Sequence, residues 1–333
     1  MQKIKYSVLE LASLLKGQSA THAIERARLG AQKIDNLGYN RLWFAEHHNM
    51  EHIASSATSI LIGHIANCTK NIRVGSGGIM LPNHAPLVIA EQFGTLEAIY
   101  PNRIDLGLGR APGTDQLTAM ALRRNNLNTA FYFKDDVLEL QQYLSKENEE
   151  SKVRAFPGEG TEIPIWILGS STDSAYLAAE LGLPYAFASH FAPAMLEQAS
   201  MLYRHNFKPS KQLKEPYFMA CVNVIAADTD EEAKLLANSL YNMFAGILTN
   251  HRRPLSPPTD QPIYHGIEEI EQAVERMTSC TFTGNIDGLE QEFKKFFNTV
   301  NVQEIMVTNY IFDDLKRLKA FEIIADTFKR LNN

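Results

Sequence analysis

The chain has 333 residues, 45% hydrophobic and 21% charged, which is typical of a folded globular protein. Its net charge of −6 and scattered basic residues exclude a nucleic-acid partner, since phosphate binding requires concentrated Lys and Arg. No apolar run approaches the roughly 18 residues of a membrane span, and no signal peptide is recognised. Three scattered cysteines (Cys68, Cys221 and Cys280) are typical of reduced thiols, so we expect a cytoplasmic protein.

Short apolar runs alternate with longer amphipathic segments along the chain. The runs have the continuous apolar character of strands buried on both faces of a parallel sheet. They span residues 4–9, 41–45, 72–75, 104–108, 163–168, 185–188, 217–226 and 304–308. Helical patterns span residues 21–37, 56–69, 87–100, 129–144, 172–181, 194–203, 231–247 and 313–331. Eight such alternations predict an α/β fold, the (β/α)8 TIM barrel, with a doubly wound open sheet as the competing arrangement.

Two stretches interrupt the alternation. Residues 145–161 are polar and charged, which predicts an exposed excursion before the fifth strand. Residues 249–267 are rich in proline, which is typical of a lid or mobile loop, and a passive surface insertion is the other interpretation. A further helix is predicted at 268–278. We expect one domain over 1–333, with insertions near 145–161 and 249–280.

Glycine and polar residues cluster directly after five of the predicted strands. In a TIM barrel the carboxyl ends of the strands meet at one face, where the active site lies. We therefore expect these segments to share one rim. They are Glu46-His47-His48-Asn49, Gly75-Ser76-Gly77-Gly78, Gly107-Leu108-Gly109-Arg110, Gly169-Ser170-Ser171-Thr172-Asp173-Ser174 and Ser189-His190.

The turn after the fifth strand leads directly into a helix. The first turn of a helix has free backbone N–H groups and a partial positive charge, which favour a bound phosphate. Ser171 and Ser174 can add hydrogen bonds, and Arg110 on the neighbouring strand offers a planar fork for phosphate oxygens. Helix capping by the hydroxyl groups of the turn is the other interpretation, as is a surface ion pair between Arg110 and Asp115.

The glycines after the third strand lack the GxGxxG spacing of a dinucleotide-binding loop. We interpret Gly77 and Gly78 instead as a strained or cis backbone segment against which a planar ring can lie. His47 or His48 could serve as a base or proton donor near neutral pH, and a purely structural histidine is the alternative.

A possible zinc signature overlaps the histidine segment. His48, Glu51 and His52 fit H-x-x-E-H, which requires a helix to bring both histidines to one face. The segment leaves a strand and reads as a loop, so we expect no metal. A zinc hydrolase is kept as the non-redox alternative.

Four sequence blocks carry a resemblance to a known family. They are RLWFAEHHN at 41–49, IRVGSGGIMLPNHAP at 72–86, AEQFGTLEAIYPNRIDLGLGRAPGTDQ at 90–116 and GSSTDS at 169–174. Through them the chain resembles the bacterial luciferase-like, flavin-dependent monooxygenase family, in particular its oxidoreductases of unassigned substrate. The resemblance is strongest over 41–116 and 163–190.

This resemblance implies a TIM barrel, a homodimer, and FMN supplied in reduced form by a separate NAD(P)H:flavin reductase. The implied activity is monooxygenation of a small organic substrate with O2 through a C4a-peroxyflavin. His47 matches the family's catalytic histidine, and Gly77-Gly78 matches its cis peptide under the isoalloxazine. The phosphate-contacting positions match Arg110, Ser171 and Ser174.

Three departures count against light emission and a long-chain aldehyde substrate. Gly169 and Ser170 stand where the luciferase α subunit has an Ala-Glu pair, and Gly109 stands where it has a reactive cysteine. Residues 249–267 do not clearly match its mobile loop. A deazaflavin-dependent hydride transferase and a non-catalytic flavin-binding barrel remain the alternatives within this fold.

Overall fold

The computed structural model describes residues 3–123 and 127–333, and within them nine parallel strands form one sheet. The strands are β1 (Lys5–Glu10), β2 (Arg41–Phe44), β3 (Arg73–Met80), β4 (Ile104–Gly109), β5 (Ile165–Gly169), β6 (Tyr185–Phe187), β7 (Phe218–Ala226), β8 (Thr281–Gly284) and β9 (Glu304–Thr308). Their order is β6-β5-β4-β3-β2-β1-β9-β7-β8, and β6 also pairs with β7. That pairing closes eight strands into a barrel. The predicted TIM barrel is confirmed, and the open sheet is wrong.

Helices surround the barrel, and their ends follow local sequence signals. The first begins after Ser19, whose side chain accepts a hydrogen bond from the His22 backbone, and ends at Gly38 with φ of 80°. In the described part of the chain, no helix is long and apolar enough to cross a membrane. The helices are α1 (Ala20–Leu37), α2 (Thr58–Cys68), α3 (Pro86–Ile99), α4 (Gln116–Leu122), α5 (Phe133–Leu144), α6 (Thr172–Leu181), α7 (Leu196–Asn206), α8 (Asp230–Leu248), α9 (Glu268–Met277), α10 (Ile286–Thr299) and α11 (Asp314–Leu331).

Three elements were not predicted from the sequence: α4, β8 and α10. The short strand β8 pairs with the outer end of β7, Asn223 to Ala226, beyond the barrel proper. Its side chains alternate between half-buried and buried, whereas β2, β4, β6, β7 and β9 are buried throughout. The last barrel helix before β9 is α10, whose N-cap Asn285 accepts hydrogen bonds from the backbones of Asp287 and Gly288.

The prediction that residues 145–161 form an exposed excursion is wrong for part of the segment. Asn148 and Ala155 are buried. Gly158 packs closely on Gly94 of α3. A Cβ atom added to Gly94 would lie 2.1 Å from the Cα atom of Gly158. The segment therefore covers α3, and its charged residues mostly face the solvent while Asn148 and Ala155 are buried.

The amino-terminal end of the barrel is filled by buried charges and aromatic rings. Arg41 pairs with Asp105 at 2.6 Å and with Glu304 at 2.9 Å, and Arg73 pairs with Asp105 at 2.7 Å. The Arg41 guanidinium also lies 4.7 Å from the ring centroid of Trp166. We call this cluster the barrel floor. It leaves the opposite end of the barrel for binding.

Candidate active site at the carboxyl ends of the strands

A buried carboxylate joins the ends of β2 and β3. Glu46 accepts hydrogen bonds from His48 Nε2 at 2.8 Å, from His84 Nε2 at 2.9 Å, and from the Met80 backbone at 3.1 Å. Burial opposes its ionisation, but the bonds from the two histidines outweigh burial and lower the pKa of Glu46 to about 2. Glu46 is therefore ionised near neutral pH and fixes the loops on either side of it.

His47 does not bind Glu46 and instead contacts the backbone of Gly113. Its Nδ1 lies 3.1 Å from the carbonyl oxygen of Gly113. Because a carbonyl oxygen can only accept, Nδ1 carries the proton in this contact and Nε2 is left as an acceptor. Burial lowers the pKa of His47 below its usual value, and the bond to Gly113 only partly offsets this effect. His47 is thus a neutral base of fixed tautomer near pH 7.

His47 lines a cavity of about 210 Å³, which we call the mouth cavity. Residues that follow β1, β2, β6 and β9 contribute to it, so it lies at the carboxyl end of the barrel. Two further histidines, His52 and His190, line the same space. Its wall is otherwise largely apolar and includes Leu11, Met243, Phe244, Ile247, Met277 and Tyr310.

His190 is a buried histidine with an unmet hydrogen bond. Its side-chain Nδ1 has no partner among the described residues. Burial, with a smaller effect from His47, lowers its pKa to about 3, so the ring is neutral. A buried polar atom without a partner at a cavity wall is typical of a site that meets a ligand group.

A second cavity of about 190 Å³ contains Arg110, which we use to name it the Arg110 cavity. Ser174 and Lys134 line it as well. Arg110 does form a surface ion pair, but its partner is Asp173 and not Asp115: Arg110 Nη2 lies 3.6 Å from the Asp173 carboxylate, and both side chains are exposed. Asp115 instead caps α4.

Ser171 and Ser174 lie one turn apart at the start of α6. Ser171 is the N-cap residue, but within the described chain its side chain makes no capping hydrogen bond, so the capping interpretation is wrong for this hydroxyl. Ser174 Oγ donates to the Ser171 carbonyl at 2.7 Å and lies 2.8 Å from Tyr185 Oη. A Cβ atom at Gly169 would lie 2.0 Å from Ser174 Oγ, which explains the glycine there.

The Gly77–Gly78 peptide bond is cis. A Cβ atom at Gly77 would lie 2.7 Å from Leu9 Cδ1, and one at Gly78 would lie 2.7 Å from the Gly107 carbonyl oxygen. Neither position therefore has room for a side chain. The pairing of β3 with β4 shifts register at this point, next to the end of the barrel that carries His47.

The histidines of the H-x-x-E-H motif do not share a helix. Residues 46–55 form a loop, in which His48 binds Glu46 and His52 faces the mouth cavity. Glu51 is exposed. The helical context that the zinc motif requires is missing, so this geometry gives the zinc-hydrolase alternative no support.

Several residues at the two cavities were not predicted from the sequence. Lys134 lies in the first turn of α5, where it also pairs with Glu180 at 2.7 Å. Arg252 and Arg253 line the mouth cavity from the proline-rich segment, and Tyr310 follows β9. No motif marks these positions, and only Tyr310 follows a predicted strand directly.

Comparisons with known proteins agree with this architecture. A family model described as luciferase-like monooxygenase matches residues 9–279. A luciferase-like monooxygenase of Escherichia coli (strain K12) is 46% identical over 332 residues and 98% of each chain. The crystal structure of apo-MsnO8 has a TM-score of 0.87 at 30% identity, with 98% of both chains covered.

A more distant solved structure shows a likeness of fold alone. It is the oxygenating constituent of 3,6-diketocamphane monooxygenase from Pseudomonas putida, in complex with FMN. The TM-score is 0.74 at 18% identity, over 98% of this chain and 97% of that one. From the family match over most of the barrel and the 46% identical relative, the chain belongs to the luciferase-like monooxygenase family.

Proposed function

We propose that this chain is the oxygenase component of a two-component monooxygenase. It binds FMN that a separate NAD(P)H:flavin reductase has reduced, and with O2 it oxygenates a small organic substrate. The observation that carries the proposal is the presence of two cavities at the carboxyl face of one barrel. The Arg110 cavity is suited to a phosphate, and the mouth cavity offers an apolar space beside His47.

The residues of the Arg110 cavity fit the phosphate of FMN. Arg110 and Lys134 supply two positive charges, and the free N–H groups of the first turn of α6 add a partial positive charge. The Ser171 hydroxyl, at the start of α6, makes no capping hydrogen bond, and we assign it as a further donor to the phosphate. Asp173 opposes an anion, but its side chain is 71% exposed and can turn into solvent.

We assign the flat ring of the flavin to the Gly77–Gly78 segment, where the chain carries no side chains, and the substrate to the mouth cavity beside His47. Reduced flavin supplies the electrons that activate O2. The chain's own residues orient the ring, keep water from the apolar cavity, and accept or return a proton at His47 Nε2.

The proposal is tested by binding and oxygen uptake together. Purified protein is titrated anaerobically with reduced FMN, and turnover with a reductase is followed by O2 consumption and by incorporation of ¹⁸O into a panel of organic compounds. We expect saturable FMN binding and label in a product. Binding of a deazaflavin with hydride transfer and no label, or FMN binding without turnover, would contradict the oxygenase assignment.

The phosphate assignment has its own test in Arg110→Met. Because a charge-assisted, forked contact to phosphate is lost, we expect the Kd for FMN to rise about tenfold or more. Riboflavin, which lacks the phosphate, should bind both proteins equally. Arg276→Met, an exposed arginine on α9, is the matched control and should leave both affinities unchanged. Unchanged FMN affinity in the Arg110 variant would place the phosphate elsewhere.

A further inference from the structure

The mouth cavity has an unusual balance of charge. Its wall is largely apolar, and no carboxylate is among the described residues that line it. Two arginines line it, Arg252 and Arg253, and both are exposed at its edge. Within the described chain, neither makes an ion pair or a side-chain hydrogen bond with another residue. A cationic edge over an apolar space suits a molecule that is apolar at one end and anionic at the other.

Arg252 is the better placed of the two arginines for a ligand near His47. Burial is the main reason that the pKa values of His47 and His52 are lowered, and the positive charge of Arg252 lowers both further. Arg252, His47 and His52 all line the mouth cavity, so the arginine shares that space with both histidines. Arg253 also lines a neighbouring cavity under the proline-rich segment, whereas Arg252 lines the mouth cavity but not that one.

The segment that carries Arg252 is attached to the barrel on both sides. Before it, α8 ends at Leu248. After it, the backbone of Leu255 donates to the Leu14 carbonyl at 2.8 Å and accepts from Lys16 at 2.8 Å. Leu255 itself is 3% exposed. These contacts fix the backbone of the segment close to the cavity edge, and the exposed Arg252 side chain reaches the cavity from there.

We propose that the substrate is an apolar organic acid whose anionic group pairs with Arg252 and whose apolar body fills the mouth cavity beside His47. This inference rests on the proposed function, because it names the substrate class of that site. An apolar cavity of about 150 Å³ accepts benzene, so 210 Å³ has room for a body of about six to eight carbon atoms.

The test compares acids with their neutral analogues. Phenylacetate, hexanoate and octanoate, each beside its primary amide, are titrated into the protein by calorimetry, with and without FMN. We expect at least one acid to bind about tenfold more tightly than its amide, the ratio expected of a charge-assisted pair. Equal affinities of every acid and its amide, or no binding of any acid, would overturn the inference.

Matched variants assign the effect to Arg252. Arg252→Met should remove the preference for the acid and leave amide binding unchanged, and Arg252→Lys should retain part of it. Arg276→Met should behave as the native protein. A preference that survives in Arg252→Met would overturn the assignment, as would loss of FMN affinity, which would make Arg252 a flavin residue. Thermal unfolding checks that each variant is folded.

Failure of this inference is distinguishable from failure of the proposed function. If the acids are not preferred but FMN binds and ¹⁸O enters some neutral product, only the substrate class is wrong. If the acids bind through Arg252 but reduced FMN and O2 give no turnover, the oxygenase assignment is wrong and the anion site stands.

Discussion

His47 combines a fixed tautomer with a lowered pKa. The Gly113 carbonyl holds the proton on Nδ1, so Nε2 can accept a proton at any pH above the pKa of the ring. Because burial lowers that pKa, the base remains competent below the ordinary value of about 6.5. The acidic limb of the pH profile for turnover should therefore lie on the acid side of that value.

Replacing His47 with Ala tests this role. We expect turnover with reduced FMN and O2 to fall about 10²-fold, as is typical when a general base is lost, while the Kd for FMN stays nearly constant. The acidic limb of the pH profile should also disappear. His205→Ala, an exposed histidine on α7, is the control. An equal loss of turnover and FMN affinity would count against a catalytic role.

Glu46 gives the protein a pH dependence of stability with a defined sign. Its folded-state pKa of about 2 lies below the unfolded value of about 4.3, so ionised Glu46 stabilises the fold above the unfolded value. That stabilisation is lost as the pH falls through about 4 toward 2. Glu46→Gln should therefore lower the free energy of unfolding by about 3 kcal/mol at pH 7.

Urea unfolding at pH 7 and pH 3 measures this effect. The difference in the free energy of unfolding between the native protein and Glu46→Gln should be largest at pH 7 and should fall by about half at pH 3. Glu51→Gln, an exposed change in the same loop, should match the native protein at both values. If the difference in the free energy of unfolding between the two proteins did not change with pH, the ionised carboxylate would not be the stabilising form.

At the scale of single elements, the segment 145–161 depends on its contact with α3. Gly94→Ala adds a methyl group that would lie 2.1 Å from Gly158 Cα, where only the backbone can give way. We expect the free energy of unfolding to fall by about 2 kcal/mol, although Ala favours a helix over Gly. Thermal unfolding measures the change.

Gly63→Ala provides the comparison, because Gly63 also lies within a helix but meets only Leu96 Cδ2, at 3.3 Å. This variant should be neutral or slightly more stable than the native protein. If Gly94→Ala were as stable as Gly63→Ala, the close packing of 145–161 on α3 would not be present in solution.

The barrel strands could be predicted because they are buried on both faces and read as continuous apolar runs. The strand predicted at 104–108 is observed as Ile104–Gly109, buried throughout. In contrast, β8 alternates between half-buried threonines and buried residues, so it contains no continuous apolar run to mark it as a strand. The signal for α10 was present, since Asn285 is a typical N-cap residue, but no helix was predicted there.

Some residues of the candidate site could be predicted from the sequence and others could not. Residues directly after strands, such as His47 and Arg110, could be placed because the carboxyl ends of parallel strands converge. Lys134 and Arg252 come from segments whose position depends on tertiary contacts. Arg252 reaches the mouth cavity only because Leu255 pairs with the backbone of Leu14, and no local pattern encodes that contact.

At the scale of the whole molecule, the barrel floor concentrates buried charge at one end of the barrel. Arg41 balances Asp105 and Glu304, all of them nearly inaccessible to solvent. Arg41→Met would leave Glu304 without a cationic partner, and we expect a loss of about 3–5 kcal/mol in the free energy of unfolding.

Denaturant unfolding checks this value against Arg28→Met, which breaks the surface pair with Glu25 and should cost less than about 1 kcal/mol. If both variants lost a similar amount of unfolding free energy, the ion pairs of the barrel floor would be as hydrated as a surface pair. FMN affinity should be unchanged in both, because neither residue faces the carboxyl end of the barrel.

The filled floor also has a consequence for kinetics. Every molecule that reacts inside the barrel enters and departs at the same end, so depth sets the sequence of arrivals and departures. A compound seated nearer the interior is retained for as long as another lies above it. For the proposed reaction, the oxygenated product and the spent flavin would leave by the same face, and the one that lies deeper would leave last.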